Sequence, residues 1–245
     1  MTRPRRILAS SGGFVGTDLW GVMRPGGIML RALELTGATR PRVCLVMTAS
    51  GDNDQYLVTM YSALSDAGCD VDHLALFAQP NRTPASALSA ADVVWVGGGS
   101  VANLLALWRL HGVDEAMSDA WDRGVILAGA SAGSICWHVG GPTDSFGAQL
   151  QTVTNGLGFL PYGNGVHYDS EEQRRPLLHQ LVRDEVLPLS YATDDRIGIL
   201  YEGTEPVEVI ADIDVGSEDG PAAYRVEREA GSVVETRLPV GPISR

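Results

Sequence analysis

The residues best suited to chemistry lie in Gly129-Ala-Ser131-Ala-Gly133, between the apolar run Val125-Ile-Leu-Ala128 and the helical stretch Ser134-Ile-Cys-Trp137. In a strand–turn–helix setting, G-x-S-x-G forms a nucleophile elbow. Its glycines permit a strained turn that lifts the serine Oγ above a sheet, with the next N–H aimed at the same place. The chemistry implied is acyl transfer through a serine oxygen. A second glycine cluster, Gly97-Gly-Gly99-Ser100, follows the apolar run Val93-Val-Trp-Val96. Glycines at a strand's C-terminal end let backbone N–H groups approach an anion. The Gly99 and Ala132 N–H groups are therefore expected to form an oxyanion hole. A phosphate loop is disfavoured, because neither G-x-G-x-x-G nor a Walker pattern is present.

A serine nucleophile needs a base, and five histidines are available. His73 falls on a predicted strand, His111 in a helix-ending loop and His179 within a helix, so all three read as structural or surface residues. His138 follows Ser131 by about two helical turns and points away from it. His167, in Asn164-Gly-Val-His167-Tyr168, lies in a glycine-rich loop of the kind that supplies catalytic groups, and is the base by elimination.

The elements that must position these groups alternate short apolar runs with helical ones. Strands are predicted at 6–10, 42–47, 71–77, 93–96 and 125–128. Helices are expected at 29–35, at 53–67 with Tyr56, Met60 and Leu64 on one face, and from Ser100 through Leu104, Leu105 and Leu107. Continuous apolar strands separated by helices imply a mostly parallel sheet covered on both faces, an α/β three-layer sandwich. Beyond residue 140 the loops lengthen, and a helix is expected at 171–184. Strand-like runs at 197–201, 207–210, 222–226 and 233–238, with turns at 202–203, 216–221 and 231–232, suggest a terminal antiparallel meander. No linker or internal repeat interrupts the chain, so 1–245 is read as a single domain.

Composition excludes several classes. A net charge of −12, with no basic cluster beyond Arg3, Arg5 and Arg6, repels phosphate backbones and argues against nucleic-acid binding. No apolar run approaches the roughly 20 residues of a membrane span, and the apolar stretch after Arg6 is too short for a signal peptide. With Cys44, Cys69 and Cys136 an odd set, partly in predicted strands, a reducing, cytoplasmic compartment is expected. No HExxH, CxxC or dense ligand cluster points to a metal or organic cofactor. An apolar helix face reads alike in a core or at a dimer interface, which leaves monomer and homodimer open.

Thr48-Ala-Ser-Gly-Asp-Asn53, Val96-Gly-Gly-Gly-Ser-Val-Ala-Asn-Leu104, Gly129-Ala-Ser-Ala-Gly133, the His167 loop and Glu172-Gln-Arg174 together resemble the peptidase E family. That family comprises serine peptidases including α-aspartyl dipeptidase, with cyanophycinase as a more distant relative. The resemblance spans about residues 5–210. It implies a sandwich related to class I glutamine amidotransferases (flavodoxin-like), hydrolysis of short peptides, nucleophile Ser131, base His167 and oxyanion donors Gly99 and Ala132. The family's triad acid is a glutamate in a strand-and-turn segment that matches Tyr191-Ala-Thr-Asp-Asp-Arg196. Asp194 is accordingly assigned, with Asp195 next, while Glu202 is read as part of the following hairpin turn. An α/β-hydrolase order using Asp144 before His167 fits less well, because that fold normally places its histidine near the C-terminus. A binding or regulatory protein that lost turnover is the alternative from another class, and a cyanophycinase-like or esterase activity the alternative within hydrolases. In aspartyl-specific members an arginine precedes the E-Q-R tripeptide and pairs with the substrate's aspartate. Here Glu171 takes its place, so Glu171 and Arg174 are expected at the substrate, with neutral or basic N-terminal residues preferred.

Overall fold

The computed structural model describes residues 3–213 and 220–243. The strands are β1 (Arg6–Ser10), β2 (Phe14–Gly16), β3 (Met23–Pro25), β4 (Arg42–Val46), β5 (Asp70–Leu74), β6 (Val93–Val96), β7 (Ile126–Ala130), β8 (Gly141–Thr143), β9 (Gln151–Val153), β10 (Gly163–Gly165), β11 (Ser190–Thr193), β12 (Ile197–Glu202), β13 (Glu205–Ala211), β14 (Ala223–Glu229), β15 (Ser232–Leu238) and β16 (Gly241–Pro242). The helices are α1 (Gly27–Leu35), α2 (Asp54–Asp66), α3 (Pro84–Ser89), α4 (Val101–His111), α5 (Val113–Asp122), α6 (Ala132–Ile135) and α7 (Arg174–Arg183).

An eight-stranded sheet in the order β16-β13-β12-β1-β7-β6-β4-β5 forms the middle layer. From β1 to β5 its neighbours pair in parallel, whereas β12, β13 and β16 add antiparallel. Strand alternation sends Ile7, Ala9, Cys44 and Val46 into one apolar layer and Leu8, Val43 and Leu45 into the other. The first layer is completed by Leu104, Leu105 and Trp108 of α4 and Met117 of α5; the second by Ile28 and Met29 of α1 and Met60 and Leu64 of α2. A sheet buried on both faces needs the uninterrupted apolar strands seen in the sequence, and the α/β sandwich follows.

Local signals set the helix ends. Asn53 caps α2 by accepting from Tyr56 N, Ser100 caps α4 by accepting from Asn103 N, and Gly112 ends α4 in the left-handed region (φ 66°).

The expected C-terminal meander divides between two sheets. β12 and β13 complete the main sheet, while β14 and β15 join β10 and β11 in a four-stranded sheet of order β10-β11-β14-β15. β12 is buried from Ile197 to Tyr201 and suits a central position beside β1, whereas β14 and β15 alternate charged with apolar residues. α7 packs Leu178, Leu181 and Val182 against that second sheet. The turn expected at 216–221 lies largely outside the described residues. The β2–β3 hairpin, α3 and α5 were not expected.

Among the described residues, no helix is long and apolar enough to cross a membrane. Because β1, β6 and β7 run parallel, their ends at Ser10, Val96 and Ala130 share one edge, where an open α/β sheet forms its crevice.

Candidate active site

Ser131 links β7 to α6 with φ 57° and ψ −114°. A side chain rarely occupies this region, and holding one there costs about 1–3 kcal/mol. The surroundings enforce it. A Cβ on Gly129 would fall 2.4 Å from Gly133 O, and one on Gly133 would fall 2.2 Å from Val96 O. Only glycine lets α6 sit this close to β6 and β7. Ser131 N donates to Ser10 O (2.9 Å), and its carbonyl accepts from Ser134 N (2.8 Å) and Ile135 N (3.0 Å). Its side chain makes no capping bond to α6, so Oγ is left for other partners.

The glycine loop after β6 is fastened at both ends, by Gly97 N to Val46 O (3.1 Å) and Ser100 N to Ala49 O (2.9 Å). Gly98 packs against the Ser131 turn: a Cβ there would lie 3.3 Å from Ser131 Cβ and 3.9 Å from Ser131 Oγ. Gly99, next in line, has φ 133°, and a Cβ would meet Ala49 O at 2.3 Å. The Thr48–Asn53 segment thus braces this loop, with Thr48 Oγ1 accepting from Trp108 Nε1 (3.1 Å) behind it.

His167 follows β10 with φ 51°, and its Nδ1 lies 2.5 Å from Asp195 Oδ1. Ser10, which closes β1, and Ser11, which follows it, connect this pair to the serine. Ser10 O receives Ser131 N, while Ser11 Oγ receives His167 N (3.0 Å) and shares a hydrogen bond with Thr193 Oγ1 (2.6 Å) at the end of β11. Asp169 Oδ1 accepts from Asp195 N (2.8 Å) and fixes the Asp195 backbone. Sequence reasoning missed Ser10, Ser11 and Asp169. The available signal was a pair of hydroxyl residues at the carboxyl end of the strand beside β7.

Asp195, not Asp194, faces His167. Asp194 turns into the gap beneath β14, where Oδ2 accepts from Ala222 N (2.9 Å) and Tyr224 Oη (3.1 Å) and Oδ1 has no partner among the described residues. Burial raises this carboxyl above its ordinary value, against the opposing pull of the Ala222 bond. The chain turns between them, with Ile197 N donating to Asp194 O (3.1 Å) and Arg196 at φ 67°, so the two neighbouring carboxylates leave the β11–β12 turn in different directions. Glu202 is taken by Arg6 Nε (2.9 Å) on the outer face of β12, and Asp144 reaches Arg174 rather than His167.

Arg174 is a buried strut. It is 2% exposed and donates from Nε to Glu171 Oε2 (2.7 Å) and from Nη1 to Pro142 O (2.7 Å). The guanidinium of this residue, expected at the substrate, is occupied within the fold, and Glu171 is its partner. His138 is fully buried, with Nδ1 2.9 Å from Ser134 O, and burial pushes its pKa down to about 4. His73 bonds Tyr61 Oη (2.7 Å) and His179 bonds Glu235 (2.8 Å). Among the described residues, no group of three or more His, Cys, Asp or Glu is disposed to hold a metal ion.

The arrangement supplies a strained serine packed against a glycine loop, together with a histidine oriented by a carboxylate. Comparison with known proteins agrees with that chemistry. Residues 24–209 match the model of peptidase family S51. The chain is 37% identical over 238 residues to the uncharacterized peptidase YgaJ of Bacillus subtilis, covering 96% of this chain and 98% of the relative. It is also 37% identical over 111 residues to peptidase E of Streptomyces coelicolor, covering 44% of each. Among solved structures, a peptidase from an acI-B1 Actinobacterium superposes with TM-score 0.70 at 16% identity, over 100% of this chain and 98% of that one. A putative peptidase E from Listeria monocytogenes gives 0.58 at 15% identity, over 96% and 99%. These two likenesses speak to the fold alone. On the family match and the near full-length relative, this chain belongs to peptidase family S51, a family of serine peptidases.

Proposed function

We propose that the protein hydrolyses short peptides, as a dipeptidase or aminopeptidase, through Ser131, His167 and Asp195. His167 takes the Ser131 proton as Oγ attacks the peptide carbonyl, and the N–H groups of Gly99 and Ala132 receive the oxyanion. His167 then protonates the leaving amine, and water, activated by the same imidazole, releases the acyl group. Asp195 fixes the imidazole's tautomer and stabilises its charged form. The observation that carries this reading is the strained Ser131 turn on the sheet edge it shares with the 2.5 Å His167–Asp195 contact. Three buried, unpaired cysteines support a reducing, cytoplasmic compartment.

The test is turnover of Ala-Leu together with labelling by a fluorophosphonate. Ser131→Ala should lose on the order of 10⁶ in kcat and all label while keeping its melting temperature. An unlabelled wild type would point instead to a binding protein on the same fold.

We also infer that the enzyme is not restricted to N-terminal aspartate. Glu171 stands where a cation would be needed, and neither neighbouring arginine is free to replace it. Arg174 is buried against Glu171 and Pro142, and Arg175 lies over the Tyr168 and Tyr224 rings. With Glu171 paired to Arg174, the carboxylates of Asp169 and Asp195 beside His167 favour a neutral or cationic residue. Measured kcat/KM for Ala-Leu and Lys-Leu should therefore equal or exceed that for Asp-Leu, and a preference of about tenfold (1.4 kcal/mol) for Asp-Leu would reject the inference.

A further inference from the structure

Behind the His167–Asp195 pair lies a polar cluster that the proposed chemistry leaves unused, centred on Glu235 of β15. Glu235 Oε2 accepts from Tyr168 Oη (2.7 Å) and lies 2.8 Å from His179 Nε2, while Oε1 lies 3.6 Å from Arg175 Nη2. The Arg175 guanidinium sits between two rings, 4.6 Å from the Tyr168 centroid and 4.7 Å from that of Tyr224. Tyr224 Oη in turn donates to Asp194 Oδ2 (3.1 Å). Tyr168 is the residue after His167, and Asp194 is the residue before Asp195. Both members of the pair are thus held through their chain neighbours by one cluster, and the cluster converges on a hairpin that lies outside the family match at 24–209.

We propose that Glu235 is a positioning residue, which with Tyr168 and Arg175 clamps His167 against Asp195. His167 has positive φ and persists in that conformation only where its surroundings over-determine it. Its own backbone N–H bonds Ser11 Oγ, and the next N–H, of Tyr168, bonds Thr193 O (3.2 Å). The Tyr168 side chain is the third anchor, and it ends on Glu235. Burial of Tyr168 and its bond to Glu235 raise the phenol's pKa, so the hydroxyl remains a donor. Glu235 touches no reacting atom. It acts by limiting where the imidazole can go, and small misplacements of a general base cost rate rather than binding.

This inference rests on the Ser131–His167–Asp195 reading, so the experiment carries a readout independent of turnover. In the full-length protein, the proton NMR signal of His167 Nδ1–H is identified by its loss in Asp195→Asn. Tyr168→Phe removes one hydroxyl and leaves the packing, whereas Glu235→Ala removes the hub. Each is expected to move or broaden that signal and to lower kcat for Ala-Leu by about ten- to a hundredfold, with KM within about twofold. The double variant should lose no more than the worse single one, because both act through one contact. An unmoved signal with unchanged kcat in Tyr168→Phe, or losses that multiply in the double variant, would overturn the clamp. If the wild type neither turned over peptides nor took up label, the hydrolase reading would fall, and the Nδ1–H signal alone would decide the clamp.

Discussion

At the scale of single residues, the proposed site turns on which of two adjacent aspartates orients His167. Asp195 makes the 2.5 Å contact with His167 Nδ1, while Asp194 is bound to Ala222 and Tyr224. Asp195→Asn should therefore cost roughly 10⁴ in kcat, by loss of the tautomer and of the imidazolium's partner. Asp194→Asn should cost far less in kcat and show its effect mainly as lowered stability. Steady-state kinetics on both variants decides between them, and a larger kcat loss at Asp194 would restore the sequence-based assignment. The proposed nucleophile and base, Ser131 and His167, are the residues that a motif and elimination among five histidines single out. The proposed acid was not legible in the same way, because the Tyr191–Arg196 segment carries two carboxylates in a row and nothing in one dimension shows the phase of the β11–β12 turn. The burial of Arg174 was equally out of reach, because its donation to the Pro142 carbonyl joins residues 32 apart in the chain.

At the scale of elements, the elbow depends on how closely α6 approaches the sheet. A methyl on Gly133 would lie 2.2 Å from Val96 O and 2.9 Å from Val96 Cβ, and backbone atoms of a central strand cannot yield cheaply. Gly133→Ala is expected to destabilise the fold by at least the ~1–3 kcal/mol typical of overpacking, read as a lower urea midpoint. It should also remove activity by pushing Ala132 N–H and Ser131 Oγ out of place. A stable, active Gly133→Ala protein would show that α6 has room to retreat. The elements themselves were largely readable: β1 and β6 fall on their predicted residues, and α2 and α7 lie within their predicted ranges, because apolar period, caps and glycine stops are local. What could not be read was partner choice. β12 pairs with β1 and β14 with β11, although both lie in one C-terminal run of strands. Register across nearly two hundred residues is decided by which apolar face finds a layer to bury it, and no local period encodes that.

At the scale of the whole molecule, acid should weaken the fold through one buried imidazole. His138 lies just past α6 with no exposed surface; its ring meets Tyr201 edge-on at 5.9 Å, and Nε2 has no partner among the described residues. Burial holds its pKa at about 4, against an ordinary 6.5. Between those values the unfolded chain takes up a proton that the folded chain refuses. Stability is then full above pH 6.5 and is lost as pH falls toward 4, by up to about 1.4 kcal/mol per pH unit. Other groups act in the opposite direction. Burial raises Asp194 and Asp212, so the folded state binds their protons more readily than the unfolded chain and regains stability as pH falls toward 3.8. Relief of the −12 net charge works in the same sense. The wild-type curve alone therefore mixes signs, and the comparison that isolates His138 is with His138→Phe, which leaves the carboxylates in place. Urea midpoints measured from pH 7 to 4.5 should fall more steeply for the wild type, with the difference between the two proteins growing steadily below pH 6.5. Parallel curves would show that His138 binds its proton equally in both states, and that the space beside Tyr201 admits a charge.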